Sequence, residues 1–240
     1  MMFRADRNCF AKTTTTRLLL AVAFLLAGSV LESPTAAQQA SGPQSQTAQP
    51  PAEDGLATIK TNDGVLFVWN VDDLHFSLAI KGKDIKPQGD PDHVFFAVDG
   101  RVLQIQAAAI KEFAPDAKEK KLDERAILAA HRDWESKFIE DLLHNKLRVQ
   151  TFNVKLSNGT AASMWQFDMP EGMNADTQKQ LYLTVVQGNF VVLINSEVSA
   201  ANSEDDARKF LLETMATLKS SPTPIDIKQL SESIRKGVSP

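Results

Sequence analysis

The stretch from Gly89 to His93 is the one local group of residues whose side chains could bind a metal ion. Asp90, Asp92 and His93 place two carboxylates and an imidazole within four positions, and these groups are ligands for divalent cations. The same Gly-Asp-Pro-Asp-His sequence also has the composition of a tight turn. We favour the turn, so the sequence predicts no metal site and no cofactor.

The two histidines of the central helix cannot share a metal ion. His131 and His144 are thirteen positions apart, which places them about 220° apart around a helix and about 20 Å apart along it. We expect His131 to be a half-buried packing residue. His144 lies in the predicted last turn, where a positive charge is favourable beside the helix dipole.

No arrangement typical of a catalytic site is present in the sequence. The chain has neither a Gly-x-Ser-x-Gly elbow nor a pair of glycines separated by one residue, which excludes the local hydrolase and dinucleotide motifs. The paired acids Asp72–Asp73 and the basic stretch Lys118–Lys121 are interpreted as solvated surface charge. We therefore predict that the protein is not an enzyme. The alternative is a hydrolase or metal-dependent enzyme whose site is assembled across the fold, with Asp90, Asp92 and His93 as its local candidates.

Residues 1–37 have the order of a secretory signal peptide. Four basic residues precede an apolar run at 18–31, and small residues at 35–37 follow it. The run has 14 residues, whereas a membrane-spanning helix needs about 20. We expect cleavage near Ala37 and export to the periplasm or the outside of the cell. The alternative is a membrane-tethered protein with an uncleaved signal.

The predicted mature protein lacks the chemistry for a lipid anchor and for nucleic-acid binding. Ser29 stands where a lipoprotein signal requires cysteine, and the single cysteine, Cys9, lies within the signal. The whole chain has a net charge of −4, and cleavage removes more basic than acidic residues. An acidic protein has no long-range attraction to nucleic acid. We predict no membrane anchor after cleavage, while a protein partner of unknown identity is possible.

The rest of the chain divides into three parts. Residues 38–55 are rich in Gln, Ser, Ala and Pro and are predicted to form a disordered polar linker. Residues 56–221 are predicted to form a single α+β domain. Residues 222–240 form a C-terminal tail in which Ile227, Leu230 and Ile234 indicate a short helix.

Turn and cap residues predict the elements of the domain. Asp99-Gly100 and Asn158-Gly159 are hairpin turn sequences. Asp123 is a predicted N-cap for a long helix, and Ser203 for a second one. The apolar face of the long helix is predicted from residues at three- and four-residue spacing, namely Ile127, Ala130, Trp134, Phe138 and Leu142. The run Phe190–Ile194 is apolar at every position, which indicates a strand covered on both faces.

The order of these elements, together with the double strand and capped helix of residues 181–218, resembles the PsbP/Mog-like α/β/α sandwich superfamily, which includes the exported DcrB-like lipoproteins. The resemblance covers about residues 74–220. It implies an α+β fold in which helices cover an antiparallel β-sheet. Because members of this superfamily have unrelated functions, it transfers no activity. We expect an exported, non-catalytic accessory or binding module.

Overall fold

The computed structural model describes residues 55–88, 94–173 and 176–237. The predicted signal peptide, linker residues 38–54 and the stretch Gly89–His93 lie outside the described residues. Within them the strands are β1 (Gly55–Lys60), β2 (Gly64–Val71), β3 (Leu74–Lys81), β4 (Ile85–Gln88), β5 (Val94–Val98), β6 (Arg101–Ala109), β7 (Gln150–Lys155), β8 (Ala161–Asp168), β9 (Thr177–Gln187), β10 (Phe190–Ser199) and β11 (Lys219–Ser221). The helices are α1 (Ile110–Phe113), α2 (Glu124–Leu143), α3 (Glu204–Met215) and α4 (Ile227–Arg235).

The strands form two antiparallel sheets. The small sheet has the order β1-β2-β3-β11, and the large sheet has the order β4-β5-β6-β10-β9-β8-β7. The predicted Asp99-Gly100 turn joins β5 to β6, with the positive φ angles that such a turn requires. The predicted α+β class, with antiparallel sheet and covering helices, is confirmed.

The large sheet is buried on both faces, as the apolar run in β10 predicts. Val192 and Ile194 belong to the core shared with the small sheet and α3. Leu193, between them, faces α2 together with Trp165 and Tyr182. The rings of Trp165 and Tyr182 are stacked, with their centroids 3.9 Å apart. With α4 on the outer face of the small sheet, the layers of the molecule are α4, the small sheet, the large sheet and α2.

Aromatic side chains fill the space between the two sheets. The ring of Phe67 on β2 makes edge contacts with those of Trp69, Phe76 and Phe96, at centroid distances of 5.8–6.3 Å. Beside the small sheet, α3 covers the same face of the large sheet with Phe210 and other apolar residues. Its N-cap is Ser203, as predicted, and the Ser203 hydroxyl accepts a hydrogen bond from the Asp206 amide. Burial of these side chains is the main stabilising contribution.

Helix α2 begins as predicted but buries a different face. The Asp123 carboxylate accepts a hydrogen bond from the Ala126 amide, 2.8 Å away. The predicted apolar face is only half buried, and the buried positions are Leu128, His131, Glu135, Ile139 and Leu143. The prediction of this face was wrong by about one position, because Ile139 and Leu143 pack on the large sheet and bring His131 and Glu135 under the helix.

Helix α4 covers the outer face of the small sheet. Ile227 is buried against β1 and β2, with Leu230 and Ile234 packed beside it. The buried amide of Asn70 fastens the segment that precedes α4: its Nδ2 donates to the Ile225 carbonyl at 2.8 Å, and its Oδ1 accepts from the Ile225 amide at 2.9 Å. This segment is thus part of the packed structure.

Replacing Asn70 with aspartate should weaken the attachment of α4 to the small sheet. Asn70→Asp keeps the shape of the side chain but replaces the donor with an oxygen that faces the Ile225 carbonyl. Loss of a buried hydrogen bond with an unsatisfied partner costs about 1–3 kcal/mol. We expect a loss of this size in the free energy of unfolding by urea, with faster hydrogen exchange in α4. Lys228→Ala, at an exposed position of α4, is the control. Unchanged exchange in Asn70→Asp would contradict the role of this amide.

Candidate functional site

A cleft of about 780 Å³ opens between the two sheets at one end of the molecule. Its walls come from the β2–β3 turn, the end of β6 with α1, the connection from α1 to α2, and the β9–β10 turn. The amide of Ile110 donates to the carbonyl of Asn189 at 2.9 Å, which ties the start of α1 to the β9–β10 turn. This hydrogen bond joins two of the segments that form the wall on the side of the large sheet.

The floor of the cleft is apolar and is built from both sheets. Trp69 and Leu74 come from the small sheet, and Ala107 and Phe190 come from the large sheet. Ile110 of α1, Leu122 of the connection that follows it and Ile127 of the first turn of α2 complete the floor. This lining could bury the apolar part of a ligand.

Charged side chains occupy the rim. Asp72 and Asp73 form the β2–β3 turn, where Asp72 has a φ of 52°. Lys111, Glu112, Lys118 and Lys121 line the cleft from α1 and its connection to α2. All six charged residues are exposed, and among the described residues no ion pair joins either aspartate to any of these lysines. The rim thus presents unneutralised charges of both signs.

Apolar and charged side chains together line the cleft. None of its lining residues carries a hydroxyl, a thiol or an imidazole. An apolar cavity with a few charged groups is the usual form of a ligand site.

Three ionisable groups with shifted pKa values, His131, Glu135 and Tyr182, lie elsewhere, at α2 and the strand that it covers. Burial lowers the pKa of His131 from 6.5 to about 4 and raises the pKa of Glu135 from 4.5 to about 7. Burial, and secondarily the charge of Glu135, also raises the pKa of Tyr182 on the facing strand. His131 Nδ1 has no hydrogen-bond partner within the described ranges. Such shifts are typical of active sites, but neither His131 nor Glu135 lines the cleft.

A second, smaller groove lies between α2 and the edge of the large sheet. Its volume is about 410 Å³, and Arg125 and Arg132 line it opposite Thr151 and Ser163. The guanidinium of Arg132 is already bonded to Asp133 and to the Thr151 hydroxyl. The larger cleft is therefore the better candidate for a ligand site.

The structure separates the residues that the sequence singled out. Asp90, Asp92 and His93 lie outside the described residues, and in the part that is described no three His, Cys, Asp or Glu side chains lie close enough to hold a metal ion. His131 is fully buried rather than half buried, and His144 is the exposed C-cap of α2. Asp72–Asp73 and two residues of the Lys118–Lys121 stretch, interpreted from sequence as unrelated surface charge, share the cleft.

Comparisons with known proteins give no function for this chain. No family model matches the chain, and no curated protein matches it. Among solved structures, the chain is similar to cyanobacterial PsbP (CyanoP) from Synechocystis sp. PCC 6803. The identity is 12%, the TM-score is 0.37, and the match covers 75% of this chain and 98% of that one. The resemblance to a PsbP structure is thus one of fold only, and at this TM-score no further conclusion rests on it.

Glutamine at position 135 should stabilise the protein at alkaline pH. Because the folded pKa of Glu135 lies above its ordinary value, the unfolded chain loses this proton first, and stability falls as the pH rises from about 4.5 to 7. The shift corresponds to about 3 kcal/mol above pH 7. We expect Glu135→Gln to raise the free energy of unfolding by about 2–3 kcal/mol at pH 8 and by little at pH 4.

Urea unfolding across this pH range measures the effect. Glu119→Gln removes an equal charge at an exposed position and is the matched control. The opposite contribution of His131, which is lost as the pH falls from 6.5 to about 4, is common to all three proteins. A constant difference between Glu135→Gln and the wild type at every pH would contradict the buried, protonated state of Glu135.

Proposed function

We propose that the protein is an exported, non-catalytic binding module that takes a small ligand in the cleft between its two sheets. The observation that carries this proposal is the cleft itself, with an apolar floor shared by both sheets and charges of both signs on its rim. Its volume of about 780 Å³ is within the usual range for ligand cavities, roughly 300–1,000 Å³.

Two features support binding over catalysis. The residues that line the cleft offer no hydroxyl, thiol or imidazole as a nucleophile. The groups with strongly shifted pKa values are sealed under α2, where the lining of neither cavity includes them. A substrate in the cleft would meet carboxylates, ammonium groups and hydrocarbon, which position a molecule by charge and by burial.

The signal-peptide pattern of residues 1–37 supports export. None of the helices in the described ranges is long and apolar enough to cross a membrane. A binding protein released from its leader would carry its ligand site on a cysteine-free domain with excess negative charge. A protein partner stays a prediction from the sequence.

Filling the cleft should abolish ligand retention. The full chain would be incubated with a metabolite extract of its own cells, and retained small molecules would be detected by native mass spectrometry. We expect Ala107→Trp, which places an indole in the cleft, to lower retention at least ten-fold. Ala161→Trp, in the smaller groove, is the matched control and should retain the ligand. Retention that is absent, insensitive to Ala107→Trp, or followed by release of an altered molecule would refute the proposal.

Export predicts a shortened N-terminus. Sequencing of the protein outside the cytoplasm should find a first residue within a few positions of Gln38. Arginine at both Leu19 and Leu25 interrupts the apolar run and should leave full-length protein inside the cell, because a charged run is not accepted as a signal. Wild-type protein that starts at Met1 or Met2 in the cytosol would exclude export.

A further inference from the structure

We propose that the ligand of this cleft is a dipolar molecule with a cationic group at one end, an anionic group at the other, and an apolar body between them. This inference rests on the proposed binding function. It follows from where the charged residues of the rim originate and from what lies between them.

The two walls of the cleft differ in their balance of charge. Asp72 and Asp73 belong to the turn at the end of the small sheet. Lys111 and Glu112 belong to α1, which is tied to the large sheet through Ile110, and Lys118 and Lys121 belong to the connection between α1 and α2. A ligand seated between the sheets therefore meets two carboxylates on one side and, on the other, three ammonium groups with one carboxylate, Glu112.

These charges are not neutralised by one another. Among the described ion pairs, Lys120 of the same connection binds Asp116, with Nζ and the carboxylate oxygen 3.2 Å apart. No pair within 4.0 Å joins Asp72 or Asp73 to the lysines that line the cleft, as judged over the described ranges. Opposite charges held apart across a cavity favour a ligand that carries the complementary pair.

The apolar floor of the cleft favours a ligand whose body is a hydrocarbon chain or an aromatic ring. Trp69 and Phe190 contribute rings, while Leu74 and Ile110 contribute aliphatic surface. A fully polar zwitterion would leave this surface without a partner, and a neutral apolar molecule would leave both charged walls without one. A ligand with charged ends and an apolar body can contact the aspartates of one wall, the lysines of the other wall and the apolar floor between them.

A series of ω-amino acids tests the inference directly. ω-Aminohexanoate, ω-aminooctanoate and ω-aminododecanoate would be titrated into the ¹⁵N-labelled full chain, beside octanoate and octylammonium. Amide shifts of Ala107, Gly188 and Lys118 report binding in the cleft. We expect at least one ω-amino acid to bind about ten-fold more tightly than octanoate and octylammonium, because each of these lacks one charge.

Variants that remove charge identify which wall of the cleft binds each end of the ligand. Replacing Asp72 and Asp73 with asparagine should lower the affinity for the ω-amino acid to that for octanoate. Replacing Lys118 and Lys121 with glutamine should lower it to that for octylammonium. Lys120→Gln is the matched control, because Lys120 is paired with Asp116 and does not line the cleft. It should leave the affinity unchanged.

The outcomes distinguish this inference from the proposed function. Equal affinity for ω-aminooctanoate, octanoate and octylammonium in the cleft would overturn the dipolar class while leaving binding in the cleft intact. Preference for octanoate alone or for octylammonium alone would also overturn it. Absence of any shift in the cleft residues with every probe would overturn it as well. The proposed function is tested separately, by retention of the cellular ligand and its loss in Ala107→Trp.

Discussion

The rest of the structure depends on the burial of strand β10 on both faces. Its consecutive residues Val191 to Ile194 are almost fully inaccessible to water, so one layer must cover each side of the large sheet. Helix α2 covers one side, and the small sheet together with α3 covers the other. Because the second cover is itself a twisted sheet, the two sheets do not meet along their whole length. The cleft opens where the β2–β3 and β9–β10 turns separate.

The ionisable residues under α2 and the charged residues of the cleft differ in their exposure to solvent. His131 and Glu135 are buried under α2, where the His131 ring contacts that of Phe113 and burial shifts both pKa values in the direction that favours the neutral form. Asp72, Asp73 and the lysines of the cleft remain exposed to solvent. The sealed groups affect stability because a buried charge is costly. The exposed groups are accessible to a ligand, and for this reason we propose the cleft as the ligand site.

Much of the local structure could be predicted from the sequence. Asp123 and Ser203 are caps that act within one turn, and Asp99-Gly100 sets its own hairpin. The buried face of α2 could not be predicted, because the apolar pattern counts His131 and Glu135 as polar although tertiary packing buries them. The cleft could not be predicted either. Asp73 and Lys118 line the same cleft only through tertiary packing, and no local spacing in the sequence indicates it.

The central claim is that the space between the two sheets is an open ligand site. The most direct test is a crystal structure of the protein as isolated from its own cells, without added ligands. We predict electron density for a non-protein molecule in the cleft, in contact with Trp69 and with at least one of the lining lysines. A cleft closed by the protein's own chain, or a ligand bound only at another surface, would contradict the claim.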